Sequence, residues 1–256
     1  MPSAEVFSRP TVKQVIFQMT YPNLFFIENK IGDFQQTIID RFPESSLIYR
    51  QQLVLADIGP EAKLEEIPTA GPTRKIWQFR SPDQVILNVL SDSLDISSSS
   101  HKTYDHPDSG HRFRDAIEFA VGKFLSIVKI PTLRRVGLRY IDECPIPEQT
   151  SDAFRKWYKS VFPLDRFPLE NATEMDFKAV VQKDDYYLRY IESLKIKNGK
   201  AMLVLDFDGY AEKVRSEDYL ARTDNLHDLI AAEYFRTIRE PVKQFMRGEI
   251  EVPSYG

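Results

Sequence analysis

The stretch Phe34-Gln35-Gln36-Thr37-Ile38-Ile39-Asp40-Arg41-Phe42-Pro43 has a counterpart in Phe154-Arg155-Lys156-Trp157-Tyr158-Lys159-Ser160-Val161-Phe162-Pro163. Both run Phe, seven residues, Phe-Pro. Both carry apolar residues at helical spacing ahead of a proline that cannot continue a helix. A strand-like run precedes each, Val12 to Tyr21 in the first half and Leu133 to Ile141 in the second. Further strand-like runs and one long helix follow each. The chain reads as one structural unit written twice.

Working outward, apolar residues at Phe26, Ile27, Ile31, Phe34, Ile38 and Ile39 predict a helix over 23–42. Strands are expected at Ser46 to Ala56, Lys75 to Arg80, Gln84 to Ser91 and Ser93 to Ser100, with Gly59 to Pro72 as a surface connection. A helix from about 112 to 128, with Ser109 as its cap, closes the first unit. In the second half, a helix over Ser151 to Phe162 is followed by strands at Met175 to Gln182, Tyr186 to Ile196 and Ala201 to Tyr210. Asn198-Gly199 supplies hairpin chemistry between the last two. The closing helix spans about 224 to 246, with Pro241 expected to kink or divide it.

Meandering strands with segregated helices make the chain α+β. We expect duplicated β-α-β-β-β-(β)-α units over 1–130 and 131–256, forming one continuous domain: a curved antiparallel sheet with the long helices on one face. A helix-grip fold, one bent sheet around the last helix and a cavity, is the alternative. The element order resembles the repeat of the TATA-binding-protein fold, which implies two units sharing one saddle-shaped sheet. Val15-Ile16-Phe17, Arg135-Val136-Gly137-Leu138-Arg139-Tyr140-Ile141 and Leu205-Asp206-Phe207-Asp208, with Leu226-His227 in the last helix, are similar to an uncharacterised, sporadically distributed prokaryotic family of this length. That resemblance implies no reaction and no catalytic residue. Its patchy distribution hints at an accessory component of a mobile or defence-type gene module.

Composition narrows the classes. With 42% hydrophobic and 28% charged residues, the chain can bury a core. A net charge of −4 argues against a global basic field for duplex DNA. The single cysteine, Cys144, excludes an internal disulfide and implies a reducing compartment. Neither a signal peptide nor an apolar run of membrane-spanning length is visible, so a cytoplasmic location without a membrane partner is expected.

Candidate sites come from alternation. Leu138-Arg139-Tyr140-Ile141-Asp142 and Leu188-Arg189-Tyr190-Ile191-Glu192 are near-identical words. In a strand, Arg135 and Arg139 point away from Leu138 and Tyr140, and Arg189 points away from Leu188 and Tyr190. Together with Gln14, Gln18, Arg80, Asn88 and Lys178 they would form the polar face opposite the helices. Arg135, Arg139, Lys178 and Arg189 are the candidate binding residues, able to engage carboxylates or phosphates; an open sheet also needs a polar solvent face in any case. Asp206 and Asp208, two apart at a strand end, are weak metal candidates without a third ligand. His101, His106 and His111 lack zinc spacing and read as loop residues. His227, placed near the start of the last helix, is a candidate base or cap. No nucleotide-binding, hydrolase or zinc-protease motif occurs, and no cofactor is implied.

The chain therefore reads as a binding protein rather than an enzyme, engaging a macromolecule through the open sheet face or its edges. A protein is the expected partner, with self-association left open. One alternative is an enzyme or small-ligand domain whose helix-grip cavity is lined by Tyr140, Tyr190, Trp77, Asp206 and Asp208. A second is a single-stranded nucleic-acid binder.

Overall fold

The computed structural model describes residues 5–51, 73–101, 103–106, 111–197 and 200–252. They form an α+β fold, one open sheet of nine antiparallel strands with five helices. In chain order these are β1 (Val12–Thr20), α1 (Glu28–Ile38), β2 (Glu44–Gln51), β3 (Thr73–Arg80), β4 (Ile86–Val89), β5 (Ser93–Ser98) and α2 (Phe113–Ile127). There follow β6 (Thr132–Pro145), α3 (Ser151–Trp157), β7 (Met175–Lys183), β8 (Tyr186–Lys197), β9 (Lys200–Arg215), α4 (Tyr219–Thr237) and α5 (Glu240–Arg247). The strand order is β2-β3-β4-β5-β1-β6-β9-β8-β7. The two strands that open the halves of the chain, β1 and β6, lie side by side at its centre.

Alternation makes the sheet two-sided. Val15, Phe17 and Met19 of β1 are buried, and Gln14, Ile16 and Gln18 between them are partly exposed. On the buried side, Phe34 of α1 meets Phe124 of α2 edge-on at 5.5 Å and Phe79 of β3 at 5.8 Å. Tyr21, just beyond β1, stacks on Phe124 and donates to the carbonyls of Leu90 and Ser93. α4 lies across β6 and β9 and closes down at Gly209, where an added Cβ would stand 3.2 Å from Ile230 Cδ1 and 3.3 Å from Leu226 Cδ2. Phe34, Phe42, Phe154 and Phe162, the aromatic residues of the two opening stretches, all belong to this one core.

Several element limits differ from expectation. α1 begins at Glu28 and ends at Ile38, with the chain turning before the buried Phe42. α3 stops at Trp157 rather than running to Phe162. Tyr158 is extended instead, forms an antiparallel bridge with Ile238, and donates its hydroxyl to the carbonyl of Pro145. Around that bridge, Lys159 N donates to Thr237 O (2.7 Å) and Arg239 N to Trp157 O (2.8 Å). The same pairing divides the last helix into α4 and α5. Pro241 sits in the first turn of α5, where its missing N–H costs nothing. The expected cap Ser109, the Asn198-Gly199 turn and the Gly59 to Pro72 connection lie outside the described residues.

The close approach of α4 at Gly209 yields a test. Gly209→Val drives two methyl groups into Leu226 and Ile230, and it should destabilise the fold by about 1–3 kcal/mol. Urea unfolding followed by circular dichroism measures this as a lower midpoint at an unchanged slope.

Candidate functional site

Arg135 and Arg139 of β6 project from the side of the sheet opposite the helices. Strand register aligns a single row of residues across this face: Ser46, Gln78, Asn88, Asp95, Gln18, Gly137, Tyr210, Tyr187 and Gln182, one from each strand. Within it, Gln78 donates to Asn88 (3.0 Å) and Asn88 to Asp95 (2.8 Å). The Arg135 guanidinium lies over Gly137, where a Cβ would come within 2.7 Å of Nη1. From there Arg135 donates to Gln18 (3.0 Å) and to Asp208 (2.6 Å), and its cationic carbon sits 4.6 Å from the Tyr210 ring centre. Tyr210 stacks on Tyr187 at 5.0 Å.

Arg139 forms a bidentate pair with Asp206, Nε to Oδ1 at 2.7 Å and Nη2 to Oδ2 at 2.6 Å. The two strongest cationic candidates thus have carboxylate partners on the neighbouring strand. Asp206 and Asp208, the metal candidates, are those partners. No cluster of three or more His, Cys, Asp or Glu suited to a metal ion occurs among the described residues. Arg189 stands in register with Asp208, yet its Nε is buried with no hydrogen-bond partner. Lys178 is exposed on the edge strand β7. Exposed apolar residues flank both edges, Leu47, Ile48 and Tyr49 on β2 and Phe177, Val180 and Val181 on β7.

The residues expected to line a helix-grip cavity do not converge. Asp206 and Asp208 lie on the open face, whereas Phe207 between them is buried on the helix side with Tyr140 and Tyr190. Trp77 is on β3, far across the sheet. Of that set, only Tyr140 borders the concavity of about 410 Å3 that lies on the helix side beside α4. One wall is the segment Glu5–Pro10, strapped to α5 by Arg9 N to Met246 O (2.9 Å) and by the Arg247–Glu5 pair (2.6 Å).

Inside this cleft, His227 is hydrogen-bonded through Nδ1 to the Tyr140 hydroxyl (3.0 Å), and Tyr104 stacks on its other side at 4.3 Å. Tyr104 is in turn fixed by Asp224 (2.7 Å), which the Arg114 guanidinium also holds. His227 lies well inside α4, not near its start. Burial rather than a helix terminus lowers its pKa and favours the neutral ring. His101, by contrast, is a buried structural residue bonded to the Ser98 hydroxyl (2.8 Å). Cys144 is buried, and burial pushes its thiol pKa up, which disfavours a nucleophilic thiolate.

The groups that sequence reasoning missed are Asp142, Thr11, Tyr104 and Tyr234. Asp142 is only 5% exposed at the cleft floor, and its Oδ1 accepts from Thr11 Oγ1 (2.8 Å), which also bonds the Tyr234 hydroxyl (2.6 Å). The signal was present: alternation that sends Arg139 outward sends Tyr140 and Asp142 inward. In the matching word it sends Tyr190 and Glu192 inward. Glu192 is fully buried and accepts from the Ser160 hydroxyl, Val161 N (3.2 Å) and the Tyr190 hydroxyl (2.8 Å).

Comparison with protein-family models, with curated proteins and with solved structures returned no match. Asp142 offers a test of the cleft's electrostatics. Burial raises its carboxyl from 3.8 to about 7. The folded state therefore keeps a proton that the unfolded chain releases, and this contribution to stability is lost as pH rises from 3.8 through about 7. Asp142→Asn keeps the acceptor for Thr11 and escapes that loss. Its stability relative to wild type should rise between about pH 5 and about pH 8, by about 2–3 kcal/mol. His227 works in the opposite sense but is common to both proteins, so urea midpoints of variant and wild type at each pH isolate Asp142.

Proposed function

We propose that the protein is a non-enzymatic binding or interaction protein that engages another protein through the open sheet face. The observation that carries this is the row of polar, aromatic and glycine residues running in register across all nine strands. Nine strands at about 4.8 Å spacing make a face about 40 Å wide, enough for the ~800 Å2 per partner of a standard interface. Stacked Tyr187 and Tyr210, with Arg135 over the latter, are the aromatic and guanidinium anchors that interfaces favour.

A protein suits this face better than nucleic acid. Arg135 and Arg139 are answered by Asp208 and Asp206, so few cations remain to replace the counterions of a phosphate backbone. We further infer that the two halves are duplicated units sharing one saddle-like sheet. Supporting this, the strand order reads outward from the central β1–β6 pair through β5, β4 and β3 on one side and β9, β8 and β7 on the other. The buried Phe residues of the two opening stretches support it as well. A role as an accessory component of a mobile or defence-type gene module is compatible with a module defined by its partner.

Crosslinking capture tests the face. Tyr187→Ala combined with Lys178→Glu removes an anchor and reverses an exposed charge while sparing the Arg–Asp pairs. A partner held by wild type and by a helix-side control, Arg236→Glu, should be lost from the double variant with Tm nearly unchanged. Undiminished capture by the double variant contradicts the proposal. So does tighter binding to a single-stranded oligonucleotide that weakens steeply with salt.

A further inference from the structure

We propose that the cleft beside α4 binds a small organic cation, a protonated amine on a flat apolar body, with Asp142 at its floor as the counterion. This site is separate from the open face and faces the opposite side of β6.

The first ground is charge. The cleft is lined by Asp105, Asp142, Asp228 and Glu5, with His106 and His227 as its imidazoles, and no Lys or Arg lines it among the described residues. Glu5 is answered from outside by Arg247, which leaves the three aspartates. Such a lining repels carboxylates and phosphates and attracts a cation.

The second ground is the contrast between two buried acids in matching words. Glu192 receives three hydrogen bonds, from two hydroxyls and a backbone N–H. Asp142, 5% exposed, receives one among the described residues, from Thr11, and has no cationic partner among them. A buried carboxylate is stable as an anion only when paired, so Asp142 is a half-completed ion pair at the edge of a cavity. The Asp142 carboxylate can accept from an ammonium group.

The third ground is the shape and character of the walls. About 410 Å3 lies within the range of small-molecule sites. Tyr104 and His227, stacked 13° from parallel, form a flat wall, and Phe7, Tyr234 and Phe235 add further rings. Aromatic faces attract a cation, and they pack against a planar body. A bare metal ion fits less well, because the carboxylates do not gather into a ligand cluster.

Isothermal titration of the full chain tests the site with benzylamine, tyramine and tryptamine. Tryptophol, the neutral alcohol on the tryptamine skeleton, and indole-3-acetate, the anion, serve as comparators. At least one amine should bind saturably, about tenfold or more tighter than the comparators. Asp142→Asn should weaken it by about tenfold or more while the protein remains folded. Ala231→Phe, which fills the cleft from α4 and leaves the carboxylate in place, should abolish binding too, so the proposal does not depend on one variant's folding. No saturable amine binding, equal affinity for the alcohol or acid, or undiminished binding by either folded variant overturns it.

Discussion

The structure depends on strict two-residue alternation through the paired words on β6 and β8. In register, Tyr140, Phe207 and Tyr190 form one row beneath the helices, while Arg139, Asp208 and Arg189 form the row on the other side. A slip of one residue would bury three guanidinium and carboxylate groups and expose an aromatic stripe, so this register is strongly specified. α4 reinforces it by seating Leu226 and Ile230 against Gly209, the one position in this part of β9 without a side chain. The same alternation gives β6 two chemistries, arginines on one face and Tyr140 with Asp142 on the other.

The two faces differ in how charge is answered. On the open face, cross-strand geometry brings Asp206 to Arg139 and Asp208 to Arg135 at hydrogen-bond distance. Such pairs orient a surface and fix its pattern of donors and acceptors more than they stabilise the fold. Under the helices, Glu192 finds full hydrogen bonding in the segment after α3, which the Tyr158–Ile238 bridge holds in place. Among the described residues Asp142 has only Thr11, because the chain around it opens into a cleft where Glu192 meets packed backbone. One strand thus separates a face of paired charges from an acidic cleft.

Most elements were legible in the sequence because their periodicity is strong. The alternation of β1 and the apolar face of α2 at Phe113, Ile117, Ala120, Val121 and Phe124 predicted their types and sides. The polar face was legible for the same reason, since it follows from counting by twos. What could not be read depends on contacts between distant residues. α3 ends early because residues near 158 pair with residues near 238, and nothing local signals it. His227 was placed near a helix start because the short turn before α4 hides where that helix begins. The inward turn of Asp142 could have been counted from Arg139. That it lacks a cation among the described residues could not, since this depends on which of Thr11, Tyr234 and the N-terminal segment meet it in space.

The central claim is that β6 carries a buried carboxyl group with no cationic partner among the described residues. Carbon-13 NMR titration of the side-chain carboxyl of Asp142, assigned by its loss in Asp142→Asn, tests it most directly. The account predicts a midpoint raised by burial to about 7. A midpoint near the ordinary value of 3.8 would mean that the group is solvated or paired, and it would contradict the account.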